Sequence, residues 1–114
     1  MSNEVVKKSE ISIVVGLDES KNPVEIHWQA TDSGVNEQRE VKAFMLALWD
    51  KKENNSMRLD LWNKEMMVEE MRMFVYQSLV SMSDLVERST GDQELSEDMK
   101  DFAAYFAKQS GLNP

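Results

Sequence analysis

Residues Asn63–Arg88 read NKEMMVEEMRMFVYQSLVSMSDLVER. Within this stretch Met67, Met71, Phe74, Val75, Leu79, Met82, Leu85 and Val86 recur at helical spacing. At 100° per residue they fall in a sector of roughly 140°, wide enough for the inner side of a helix lying on a sheet. The spacing therefore predicts one long amphipathic helix. Asn63 is placed to cap it, with Glu65, Glu69 and Glu70 near the positive end of its dipole. A second, narrower stripe, Met73, Tyr76 and Val80, lies on the opposite side. It needs cover from the C-terminal helix, a twin subunit or a partner.

Immediately upstream, Met57, Leu59 and Leu61 alternate with Arg58, Asp60 and Trp62, the period of a strand over 56–62. Trp62 then points away from the inner face, on the side of Arg58. Aromatic and arginine side chains are enriched at binding hot spots; the competing expectation is that the first turn of the long helix folds over the indole. Before the loop at 52–55, Val41, Phe44, Met45, Leu48 and Trp49 recur at helical spacing. A helix over 37–51 is expected, with Asn36 as its cap and Glu37 and Glu40 in its first turn. The rival is a strand over 41–49, since Phe44, Leu46 and Leu48 also alternate and 50–56 suits a hairpin loop. Alanine, leucine and methionine tip the balance toward helix, by propensity alone.

Further toward the N-terminus, Ile11, Ile13, Val15 and Leu17 alternate with their neighbours, as do Val24, Ile26, Trp28 and Ala30. The turn formers at 18–23 lie between them, so the two runs predict an antiparallel hairpin, ended by Asp32-Ser33-Gly34. Downstream, Gly91 suits the left-handed residue beyond a helix end, and Leu95, Met99, Phe102 and Phe106 mark a last helix over 93–110. The expected fold is α+β in the order ββαβαα. An antiparallel sheet of three strands, or four if 41–49 is extended, packs against the long and C-terminal helices. The strand over 56–62 is expected to pair with the hairpin, most simply beside the first strand, although spacing alone does not fix which edge. Residues 1–9 are expected to be a flexible segment, 10–111 a single domain and 112–114 a tail.

The chain has 114 residues, 41% hydrophobic and 30% charged, in the range of one globular domain. Thirteen basic and twenty-one acidic residues leave a net charge of -8, which repels phosphate backbones and argues against nucleic acid. No cysteine is present, so disulfides, thiolate metal sites and thiol nucleophiles are excluded. Neither a signal-like apolar run near the start nor a run of eighteen apolar residues occurs, so no membrane insertion and a cytoplasmic location are expected.

Few residues suggest chemistry. His27 is the lone histidine; with Glu25 on the same strand face it forms at most an acid–base pair without a pocket, and plain surface is the better account. No serine sits in a nucleophile elbow, and no second histidine completes a triad. Residues 18–22 lack the oxygen spacing of a calcium loop, and the four glycines are scattered, so no phosphate loop forms. The expectation is no enzyme, no cofactor and no metal. Nine methionines are an excess; Met66, Met67, Met71, Met73 and Met82 lie on or beside the long helix, where they suit both core packing and adaptable binding surfaces.

Leu48-Trp49-Asp50, Met57 to Trp62, Met71, Phe74, Gln77 to Leu79, Glu87 to Gly91 and Phe102 to Phe106 together resemble the GldC family associated with bacterial gliding motility. The most specific part is Leu59-Asp60-Leu61-Trp62. Either asparagine or the threonine expected at position 63 can cap a helix. The resemblance implies a small, non-enzymatic accessory or adaptor protein of the gliding machinery and its linked type IX secretion system, acting inside the cell through protein–protein interaction. It implies no catalytic residue. Partners expected on this basis are other gliding components, a membrane-anchored lipoprotein among them, met before translocation. Candidate contact residues are Arg58, Trp62, Met73, Tyr76 and Val80, and self-association as a homodimer is a further expectation. The alternative is a chaperone-like holder of secretory or unfolded clients, which methionine-rich apolar surface and negative charge also suit.

Overall fold

A computed structural model describes residues 3–31 and 35–114. The chain forms two compact units, Met1–Met66 and Met67–Pro114. Among the described residues, five strands make up the first: β1 (Ile11–Leu17), β2 (Pro23–Ala30), β3 (Val35–Val41), β4 (Ala43–Asp50) and β5 (Asn55–Trp62). Two helices, α1 (Val68–Thr90) and α2 (Gln93–Gln109), make up the second. The class is α+β, as expected, but the order is βββββαα.

The predicted hairpin of β1 and β2 is antiparallel, with Ile13 opposite Trp28 and Val15 opposite Ile26. Ile26 is fully buried and Ala30 nearly so. Its turn is closed by Asp18, whose Oδ1 accepts from the amides of Ser20 (2.9 Å) and Asn22 (3.0 Å). The turn predicted at Asp32-Ser33-Gly34 lies outside the described residues. β3 then pairs with β2, and a three-stranded sheet in the order β1-β2-β3 results.

The helix expected over 37–51 does not form. Asn36 belongs to β3, and Val41 ends that strand rather than opening a helical face. β4 and β5 pair residue for residue, Phe44 with Leu61, Leu46 with Leu59 and Leu48 with Met57. Every residue of 43–50 thus gains a ladder partner and a cross-strand side-chain neighbour, and this pairing outweighs the helical propensity of alanine, leucine and methionine. Asp50 builds the connecting turn by accepting from the amides of Lys52 (2.9 Å) and Glu53 (2.7 Å), while Asn54 takes a left-handed φ of 52°. β5 does not sit beside β1; β4 and β5 form their own two-stranded sheet.

The long helix also starts later than its apolar spacing suggests. Asn63 caps a separate turn: its Oδ1 accepts from the amides of Glu65 (3.0 Å) and Met66 (3.1 Å), and its own N–H donates to Lys42 O at 2.8 Å, extending the β4–β5 ladder. The helix proper is capped at Met67, whose amide donates to Glu70 Oε1 at 3.0 Å, with Glu69 and Glu70 in the first turn. Gly91 ends it in the left-handed conformation, φ 76°, its amide reaching Glu87 O. Asp92 then caps α2 through Leu95 N at 2.9 Å. The two helices meet at small side chains. Ser96 Oγ donates to Ser83 O at 2.8 Å, and Ser83, Ser96, Ala103 and Ala107 are all buried.

Two substitutions test these joints. Asn63 is only 4% exposed, and truncation removes the side-chain acceptor of two partly buried hydrogen bonds; Asn63→Ala is expected to lower unfolding free energy by about 1–2 kcal/mol in urea. Gly91→Ala meets open space but must hold a positive φ; a loss of about 1 kcal/mol in the helical circular dichroism transition is expected.

Candidate functional site

Strand pairing decides which side chains of β4 and β5 share a face. Directly opposed residues of an antiparallel pair project to the same side. Ala43 opposes Trp62, Met45 opposes Asp60, Ala47 opposes Arg58 and Trp49 opposes Ser56. One face of the hairpin therefore carries Trp62 at one end, Trp49 at the other and Arg58 and Asp60 between them. Six residues along β5 place the two indoles about 20 Å apart. Both are open to solvent, Trp62 at 57% and Trp49 at 69%. Arg58 is held flat along the strand by Asp60, with Nη2 to Oδ1 at 3.2 Å and Nε to Oδ2 at 3.4 Å.

The opposite face of the hairpin is apolar. Phe44, Leu46 and Leu61 are half-buried there, whereas Leu48, Met57 and Leu59 are exposed.

Beside Trp62 the surface sinks into a depression of about 500 Å³ lined by Asn22, Pro23, Asp60, Leu61, Trp62, Asn63 and Lys64. Lys64 closes one side by pairing with Asp18 Oδ2 at 2.6 Å, which ties the β1–β2 turn to the end of β5. Both Asp18 oxygens are thereby committed, one to backbone amides and one to the ammonium. This agrees with reading 18–22 as a structural turn. Among the described residues no group of three or more His, Asp or Glu side chains is arranged to hold a metal ion.

Arg58 and Trp62 thus stand together and exposed. Met73, Tyr76 and Val80 are half-buried on α1, within roughly 80° of Ser83 at 100° per residue, on the side that meets α2. Of the three covers open to that stripe, the last helix, a twin subunit or a partner, the last helix lies on its side. Trp49, which helical spacing groups with the apolar stripe of a helix over 37–51, instead joins this exposed face; the alternation of Met45, Ala47 and Trp49 against Phe44, Leu46 and Leu48 is the signal in the sequence that points to it. His27 pairs across to β3, its Nε2 lying 3.8 Å from Glu40 Oε2, rather than with Glu25 as an acid–base couple.

The model of the gliding motility-associated protein GldC-like family matches residues 23–112. The chain belongs to the GldC-like family. The match takes in β2 through α2, and with it both tryptophans and Arg58. No curated protein and no solved structure matches the chain. No helix among the described residues is long and apolar enough to cross a membrane.

The Asp18–Lys64 tie beside the depression has a pH signature. The Lys64 ammonium, with the amides of Asn22 and Ser20, holds the Asp18 carboxyl below the ordinary aspartate value. A carboxylate depressed in the fold adds stability above its unfolded-state pKa and loses it as pH falls through its folded-state pKa. Asp18→Asn is expected to be less stable than the parent at pH 7, and the gap to close below about pH 4. Urea unfolding of both proteins across pH 2.5 to 8, roughly the span that brackets a carboxylate titration, measures it.

Proposed function

We propose that this GldC-like chain is a non-enzymatic adaptor of the gliding machinery and its linked type IX secretion system, acting inside the cell, and that it docks another gliding component through the Trp49–Arg58–Trp62 face of the β4–β5 hairpin. The observation that carries the reading is the pair of exposed indoles on one strand face with an arginine between them. Tryptophan and arginine dominate binding energy at protein interfaces, since each buries a large flat surface and keeps a polar handle. Arg58 is already oriented by Asp60, so little rotamer freedom remains to be lost on docking. A span of about 20 Å accommodates six residues of extended partner chain.

The opposite face of the same hairpin favours a second reading. Exposed Leu48, Met57 and Leu59 suit a holder of unfolded or secretory clients, which needs apolar surface without shape specificity.

Capture of gliding and secretion components by the tagged chain separates the two. For the adaptor, Trp62→Ala and Trp49→Ala are each expected to weaken capture of one discrete partner by about 30-fold or more, the effect of a hot spot, with Arg58→Ala somewhat less. Unchanged capture by all three variants overturns that surface. Suppression of aggregation for several unrelated clients, lost in Leu48→Ser/Leu59→Ser and retained in the tryptophan variants, supports the holder instead.

A further inference from the structure

β1 is an edge strand, and its exposed residues do not share a face. Ile11 is 76% exposed, Val14 55% and Leu17 55%. Ile11 opposes Ala30 and lies on the side of Trp28 and Ile26, whereas Val14 opposes His27 and lies among Ser12, Gln29 and Glu25. A partner laid on either face covers part of this trio and leaves the rest. A partner added to the strand's edge reaches all three.

The backbone is set for such an addition. Thr31 N–H donates to Glu10 O at 3.1 Å, which makes Glu10 and Thr31 a bonded pair of the β1–β2 ladder. Two-residue alternation then turns the amides and carbonyls of Ile13 and Val15 away from β2. No described strand pairs with that side of β1. The far edge of the sheet is guarded differently: β3 carries exposed Glu37, Arg39 and Glu40, the charges that deter edge pairing. β1, ISIVVGL, has no charged residue and no proline.

We infer that the occupant of this edge is a second copy of the chain, paired antiparallel through β1 about a two-fold axis at Val14. The strand is nearly palindromic about that residue. The axis sets Ile11 against Leu17 of the second copy, Ser12 against Gly16, Ile13 against Val15 and Val14 against itself. Apolar meets apolar and small meets small at every position. The hydrogen bonds agree with this register, because Ile13 and Val15, whose polar groups turn outward, fall in the bonded pairs, and Val14 falls in the close, non-bonded pair where side chains touch most. The three exposed residues are the ones the axis brings together. Charge favours the same place: two chains of net charge -8 meet with least repulsion along an uncharged strand. The bounds of β1, Ile11–Leu17, confine the new ladder to these seven residues. The result is a six-stranded antiparallel sheet shared by two copies.

Light scattering of the full chain over a concentration series tests the inference. A mass of two chains is expected at the upper end; one chain throughout overturns it. Val14→Lys and Val14→Glu each place like charges face to face on the axis, and each is expected to weaken the dimer by about tenfold or more while leaving the far-ultraviolet spectrum unchanged. Mixing the two variants restores opposite charges across the axis, so the equimolar mixture is expected to regain the two-chain mass. A dimer indifferent to both variants, or a mixture that stays monomeric, overturns the Val14 axis.

Discussion

One buried carboxamide sets where sheet gives way to helix. Asn63 donates its backbone N–H to Lys42 O and so closes the β4–β5 ladder, while its side-chain oxygen accepts from Glu65 and Met66 and starts the turn that leads to α1. A buried polar side chain is tolerable only while its hydrogen bonds are made, so the group that ends the strand also fixes the chain's exit from it. Its neighbours inherit that order. Trp62, one residue before, is held at the end of the ladder with its indole outward. Lys64, one residue after, is aimed at Asp18 and draws the β1–β2 turn against the same spot. The candidate surface is therefore built on backbone hydrogen bonding, with its two indoles and Arg58 exposed on it.

Much of this was legible from residue spacing, and the failures have a common physical origin. β2 alternates apolar and polar residues cleanly and β1 does so except at Val14, and Gly91 and Asp92 carry the turn and capping chemistry that separates α1 from α2. Residues 43–50 lack such contrast. Ala43, Met45, Ala47 and Trp49 are apolar on one face and Phe44, Leu46 and Leu48 on the other, so a period of 2 and a period of 3.6 describe them equally well. What settles the matter is the partner strand, from 5 residues away at Asp50–Asn55 to 19 at Ala43–Trp62, which the periodicity of 43–50 does not itself contain. Asn63 misled in a milder way, since an Asx turn and a helix N-cap use the same oxygen and the same two following amides.

The candidate site divides along the same line. Arg58 and Trp62 lie on a strand whose period was clear, and their exposure on a common face could be anticipated. Trp49 joins them only once β4 is extended, because as a helical residue it would turn inward with Leu48. Membership of the GldC-like family supplies the cellular process, gliding motility, and the hairpin supplies two chemically distinct faces on which that process can act. One exposes aromatic rings with an oriented guanidinium; the other exposes Leu48, Met57 and Leu59. Specific docking and promiscuous holding draw on different surface chemistry, and this hairpin separates the two by the thickness of a single sheet.

The pairing pattern also bears on how quickly the molecule reaches its native state. Each strand or helix partner is the next element along the chain: β1 with β2, β2 with β3, β4 with β5, α1 with α2. Antiparallel hairpins of this kind close short loops, so little chain entropy is lost before contacts form, and domains rich in such local contacts fold faster than those that await distant pairings. No pairing of β1 to β5 waits for the C-terminal residues. A nascent chain can therefore complete its sheets while α1 and α2 are still being synthesised, and the uncharged edge of β1 is the first surface that a ribosome-bound chain would present to its neighbours.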